Sequence, residues 1–134
     1  MAVVNWNNRF ETGIGLIDAQ HKALFAALNE LAEAFRDGTA ASHVSESMDA
    51  LMAYAVEHFQ TEEKYMRERD YPALAEHMVE HARLVEQTQA LRIRFEEGKL
   101  VTMDVTIFLA DLMTHHIHDF DLLMVNFLKG KNQL

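Results

Sequence analysis

Five histidines and two carboxylates hold the chemistry of this chain: His21, His58, Glu62, His77, His81, His116 and Asp121. His58 and Glu62 are four residues apart, as are His77 and His81, so each pair shares one helical face. His116 and Asp121 are five apart. On an ideal helix they diverge by about 140° at 100° per residue. Both still reach a bundle axis lying between them, and Met113, Ile117, Phe120 and Met124 fall near that midpoint. Nearly all seven stand where a helix would otherwise turn apolar side chains toward a core. Buried polar groups of this kind cost free energy unless something binds them. A metal is the natural partner, and seven ligand-type side chains are too many for one ion. Imidazole with carboxylate suits iron, zinc or copper, and the absence of Cys excludes thiolate ligation. Carboxylates can bridge two ions. Five terminal imidazoles, two bridging carboxylates and one bridging oxygen leave one of two six-coordinate irons a ligand short. Such an open position, inside an apolar bundle, is a place for a small molecule.

The elements that position these residues are helices. Apolar residues recur every three and four positions in four segments, expected at about 18–37, 42–69, 72–97 and 103–129. Gly38, the Asp70-Tyr71-Pro72 break and Gly98 punctuate them. Met48, Met78, Met113 and Met124 fall in the inner stripes as core. Residues 1–17 read as an extended arm, with Trp6, Phe10 and Ile14 covering one end of the bundle. Asp18 is the expected N-cap of the first helix; a bond orienting a ligand histidine is its other reading. Helices of about 26 residues are roughly 40 Å long. Connections of a few residues make neighbours antiparallel, so the expected fold is all-α, an up-down-up-down four-helix bundle in one domain. Positions 21, 58–62, 77–81 and 116–121 then lie at similar heights, and one end of the bundle collects all seven residues.

Composition sets the outer bounds. The chain has 134 residues, 49% of them hydrophobic and 25% charged, an ordinary globular balance. The formal charge of −9 disfavours nucleic acid and anionic membrane as partners. The N-terminus has no basic stretch followed by an apolar run, position 2 is Ala rather than the Gly of myristoylation, and no apolar run approaches a membrane span, so neither signal peptide, lipid anchor nor span is expected. A cytoplasmic monomer is the expectation.

The motifs also carry a resemblance. Ile17-Asp18-Ala19-Gln20-His21-Lys22-Ala23-Leu24-Phe25, His58-Phe59-Gln60-Thr61-Glu62-Glu63, His77-x-x-x-His81 and His116-Ile117-x-x-x-Asp121 resemble the four signatures of the hemerythrin family, in family order and over nearly the whole chain. The likeness is nearest to stand-alone bacterial hemerythrins. It implies a non-heme di-iron centre, oxo- or hydroxo-bridged, that binds O2 reversibly for storage, transport or delivery. An O2-consuming enzyme is the partner such delivery would imply. By the resemblance His77, His81 and His116 hold the filled iron, His21 and His58 the open one, and Glu62 and Asp121 bridge. Phe25, Phe59, Met113 and Ile117 are the candidate O2 pocket. The family often has Trp-Leu where this chain has Leu112-Met113. A Met there is flexible and oxidisable, and ordinary core filling is its alternative role.

Other readings remain at this point. Sensing of O2, redox state or nitric oxide would need a separate partner. A di-iron oxidase, a peroxidase or an iron-handling protein is a further class, although no Glu stands three residues before any His, the pairing of ferritin-like enzymes. The expectation is a binding protein and not an enzyme. His43, His115, His118 and Glu63 read as surface groups.

Overall fold

The computed structural model describes residues 4–38, 41–98 and 103–131. The expected opening of the last helix at Thr102, the first residues of the arm and the tail from 132 onward lie outside them. Helix α1 is Gly15–Arg36, α2 is Ala41–Glu68 and α3 is Leu74–Glu96. A fourth helix, α4, covers 103–131 in three parts: Met103–His116, a π-helical turn Ile117–Asp121, and Leu122–Lys131. No strand occurs among the described residues. None of the described helices is long and apolar enough to cross a membrane.

The ends follow from local chemistry. At α1, Asp37 N–H bonds Glu33 O and Gly38 N–H bonds Phe35 O, with Gly38 at φ 63°. A glycine takes this left-handed cap without a Cβ clash. At α2 the corresponding residue is Asp70, at φ 53°. Tyr71 N–H reaches back 3.0 Å to Met66 O, closing the helix. Asp tolerates this conformation better than most residues, and Pro72 follows.

Helix α1 begins at Gly15, three residues before the expected Asp18, and its N-cap is Ile14. Asp18 therefore sits in the first turn and not at the cap. Its Oδ1 accepts from Thr12 N–H (2.9 Å) and Thr12 Oγ1 (2.7 Å), and its Oδ2 from Gly13 N–H (3.2 Å). A carboxylate there also suits the positive end of the helix. Asp18 ties the arm to α1, while the arm itself runs beside α1 instead of covering one end. Val4 exchanges two backbone bonds with the Asn29 side chain, Trp6 and Phe10 pack on Phe25, and Ile14 joins the cluster around Ile17.

The inner stripes form two apolar clusters. The larger holds Leu24, Phe25, Leu28, Leu31, Val44, Met48, Leu51, Ala55, Phe59, Leu84, Leu109, Met113 and Ile117. The smaller holds Ile17, Met66, Met124, Val125 and Leu128. Met78 is a correction: at 36% exposure it lies on the outer surface of α3, beside Arg67.

Candidate metal centre

Between the two apolar clusters lies a polar layer, and its position follows from the register of each helix. On α1, His21 falls between Ile17 of the smaller cluster and Leu24 of the larger. On α2, His58 and Glu62 fall between Ala55 and Met66. On α3, His77 and His81 fall between Leu74 and Leu84. On α4, His116 and Asp121 fall between Met113 and Met124. The sense alternates from helix to helix, as an up-down-up-down bundle requires. All seven residues are buried, and Glu62 and Asp121 are wholly so.

The two carboxylates divide their oxygens. Glu62 Oε2 lies 3.1 Å from His58 Nε2 and 3.6 Å from His21 Nε2, and Asp121 Oδ2 lies 3.0 Å from His21 Nε2. Glu62 Oε1 lies 3.0 Å from His81 Nε2 and 3.5 Å from His77 Nε2. Asp121 Oδ1 lies 2.9 Å from His77 Nε2 and 3.0 Å from His116 Nε2. Each carboxylate thus gives one oxygen to a two-histidine group and the other to a three-histidine group. The donor atoms of Glu62, His77, His81, His116 and Asp121 all lie within 4.8 Å of one another, as do those of His21, His58, Glu62 and Asp121.

The π turn makes this possible. On an ideal helix His116 and Asp121 diverge by about 140°, and that expectation is corrected. Leu122 N–H bonds Ile117 O, five residues back, so the turn is wider by one residue. His116 and Asp121 then meet at 3.0 Å.

The site fits cations better than it fits itself. Buried His58 Nε2, Glu62 Oε2 and both ring nitrogens of His116 have no hydrogen-bond partner among the described residues. The His58 and His116 contacts to carboxylate are short, but they lack hydrogen-bond geometry. An unsatisfied buried polar group costs about 1–3 kcal/mol. Cations at the convergence of these atoms would satisfy them together. Without a cation, protons take that place. Burial pulls His21 and His77 down, but the bond each makes to Asp121 and the nearby charges of Asp121 and Glu62 outweigh it and push both up to about 9. Burial pushes Glu62 up, but His58, His21 and His77 hold it well below the usual carboxylate range. Burial and the Glu62 charge push Asp121 up, but His116 and His21 hold it low as well.

A chain with this set of residues, in this order, on an antiparallel bundle has known relatives. The family model described as Hemerythrin HHE cation binding domain matches residues 12–128. The chain belongs to the hemerythrin family. A protein named Bacteriohemerythrin from Methylococcus capsulatus is 35% identical, with 90% of this chain and 93% of that one covered. A second Bacteriohemerythrin, from Stenotrophomonas maltophilia, is 31% identical over 90% of this chain and 78% of its own. The crystal structure of a wild-type hemerythrin superposes with a TM-score of 0.88 at 34% identity, covering 95% of this chain and 98% of that one.

Two neighbours of this hemerythrin-family site escaped sequence reading. His58 Nδ1 donates to Gln20 Oε1 at 2.7 Å, and Gln20 Nε2 donates to Thr61 Oγ1 at 3.1 Å. His81 Nδ1 donates to Glu63 Oε2 at 2.8 Å, so Glu63 is not the free surface charge expected of it. The available signal was adjacency: Gln20 and Glu63 each stand beside a candidate ligand in sequence. His43, His115 and His118 are exposed. Of the candidate pocket residues, Phe25, Phe59, Met113 and Ile117 are all buried in the larger cluster. Phe59 stacks on His81 with ring centroids 4.1 Å apart.

Proposed function

We propose that this chain holds two iron ions and binds O2 reversibly, for storage, transport or delivery. The observation carrying this reading is the division of the carboxylate oxygens. Two groups of donor atoms share Glu62 and Asp121, which would bridge the ions, but differ by one imidazole. His77, His81 and His116 would hold one ion, and His21 and His58 the other, which would have one imidazole fewer. The irons, when bound, supply the electrons and the open position that O2 requires. Every other contribution belongs to the residues. Gln20 and Glu63 fix the tautomers of His58 and His81 so that Nε2 faces inward. The two buried carboxylates offset the charge of the cations. Phe25, Phe59, Met113 and Ile117 would keep water from the free position and leave room for a small apolar gas.

The name of the Methylococcus capsulatus relative, Bacteriohemerythrin, supports the same reading. The test is optical. Iron-loaded protein is reduced without air, exposed to O2, and then freed of it, with the visible spectrum followed throughout. A charge-transfer band that rises with O2 and vanishes on its removal is the expected result. Direct passage to a stable diferric spectrum overturns reversible binding in favour of redox sensing or oxidase chemistry.

A further inference from the structure

The outer ring nitrogens of the five histidines are not treated alike. Nδ1 of His21, His77 and His116 has no hydrogen-bond partner among the described residues. Nδ1 of His58 faces a neutral amide, Gln20 Oε1. Nδ1 of His81 faces a carboxylate, Glu63 Oε2. Both contacts fix a tautomer. Thr61 Oγ1 donates to Glu57 O and so accepts from the Gln20 amide nitrogen, which leaves the Gln20 oxygen to accept from His58 Nδ1. A carboxylate only accepts, so His81 Nδ1 bears the hydrogen too. What differs is charge. One negative charge sits behind the three-histidine group and none behind the two-histidine group.

Glu63 is placed to make that charge felt. Its side chain is 20% exposed, at the inner edge of a groove between α2 and α3 that Val56, Met78, Val85 and Glu86 also line. Water screens it only in part. A carboxylate hydrogen-bonded to a ligand imidazole raises the basicity of that ligand. A more basic ligand favours the higher charge on the metal it holds.

We infer that Glu63 is a positioning residue that lowers the reduction potential of the three-histidine half of the centre, making its two halves electronically unequal. This rests on the proposed di-iron reading. Each half exchanges one electron between ferrous and ferric iron, with no bond made or broken at Glu63. The residue acts through His81 and touches no metal.

The experiment uses the iron-loaded full chain at one fixed pH. Iron per chain is measured first, then the potential of each one-electron step by spectroelectrochemical titration with mediators. Glu63→Gln keeps an acceptor oxygen for His81 Nδ1 and removes the charge. It should still hold two irons, with one step raised by about 59 mV, a tenfold change in a one-electron equilibrium. Gln20→Glu places a carboxylate behind His58 and should lower one step. Glu86→Gln, in the same groove but exposed, controls for net charge and should leave both steps in place. Equal potentials in Glu63→Gln and wild type overturn the proposal, as do equal shifts in Glu63→Gln and Glu86→Gln. Should Glu63→Gln lose iron, Gln20→Glu decides: an unmoved potential overturns it. A wild-type chain that never holds two irons removes the di-iron reading itself, and the proposal with it.

Discussion

At the scale of single residues, the centre is a contest between protons and cations for the same lone pairs. His21 and His77 hold protons up to about pH 9 in the metal-free protein. A metal needs both imidazoles neutral. Metal uptake at neutral pH should therefore release protons, and the affinity of the metal-free protein should fall as pH drops below about 9. Calorimetry in buffers of different ionisation heat measures the release, and a value near zero at pH 7 contradicts it. The same groups set metal-free stability. The histidines are raised above their unfolded value of about 6.5, so their contribution is complete below that pH and is lost as pH rises through about 9. Glu62 and Asp121 are lowered, so theirs is present above the unfolded range near ~4 and is lost as pH falls further. Urea midpoints of the metal-free chain should be highest at about pH 5–6.5 and decline toward 9. A single ligand deletion tests the assignment directly. His77→Ala should fall below two irons per chain, and it leaves Asp121 Oδ1 short of a buried partner. Breaking such a buried pair costs about 3–5 kcal/mol. Iron analysis of the purified variant checks it, and wild-type stoichiometry refutes the ligand role.

At the scale of elements, legibility depended on whether a residue followed regular helix geometry. His21, His58, Glu62, His77 and His81 could be read because ligand-type side chains interrupt apolar stripes of 3.6 period, and that period also exposed the four-helix bundle. The π turn could not be read, because a five-residue spacing has two solutions and only hydrogen bonding in the folded chain chooses between them. Glu63 and Met78 were misread for a related reason. Helical phase ranks residues by angle, but whether an edge residue is covered depends on how closely α2 and α3 approach. The π turn itself can be tested. Deleting His118, exposed within that turn, restores four-residue spacing and removes about 1.5 Å of rise. Metal constellations tolerate only about 0.5 Å of displacement, so two-iron loading should be lost while circular dichroism stays helical. Retained loading would show that the extra residue is dispensable. The Asp18 tie is a second test. Asp18→Ala removes three hydrogen bonds to a charged acceptor, of a class worth about 1.5–3 kcal/mol each. Partial exposure and local water should bring the total cost to the low end of one such bond. Chemical denaturation measures this, with iron stoichiometry expected to be unchanged.

At the scale of the whole molecule, the polar layer has much to gain from a metal, because its unpartnered lone pairs are buried. It separates two apolar clusters, and every helix contributes to it. A cation bound only by the folded chain adds stability by mass action, about 2.7 kcal/mol at a hundredfold excess over Kd. For a chain of this size that is on the order of 10 °C in Tm, given a few degrees per kcal/mol. The residue-scale argument sharpens this into a dependence on pH. Between about 6.5 and 9 the metal-free protein loses its histidine contribution, while the metal-bound protein meets less competition from protons. The gap in Tm between iron-loaded and chelator-treated protein should therefore widen steadily from pH 6 to pH 9. Differential scanning calorimetry on matched samples, ferrous and without air, gives the gap at each pH. A gap that stays constant would mean that metal and protons do not share His21 and His77. A gap that narrows would contradict proton competition at these histidines outright.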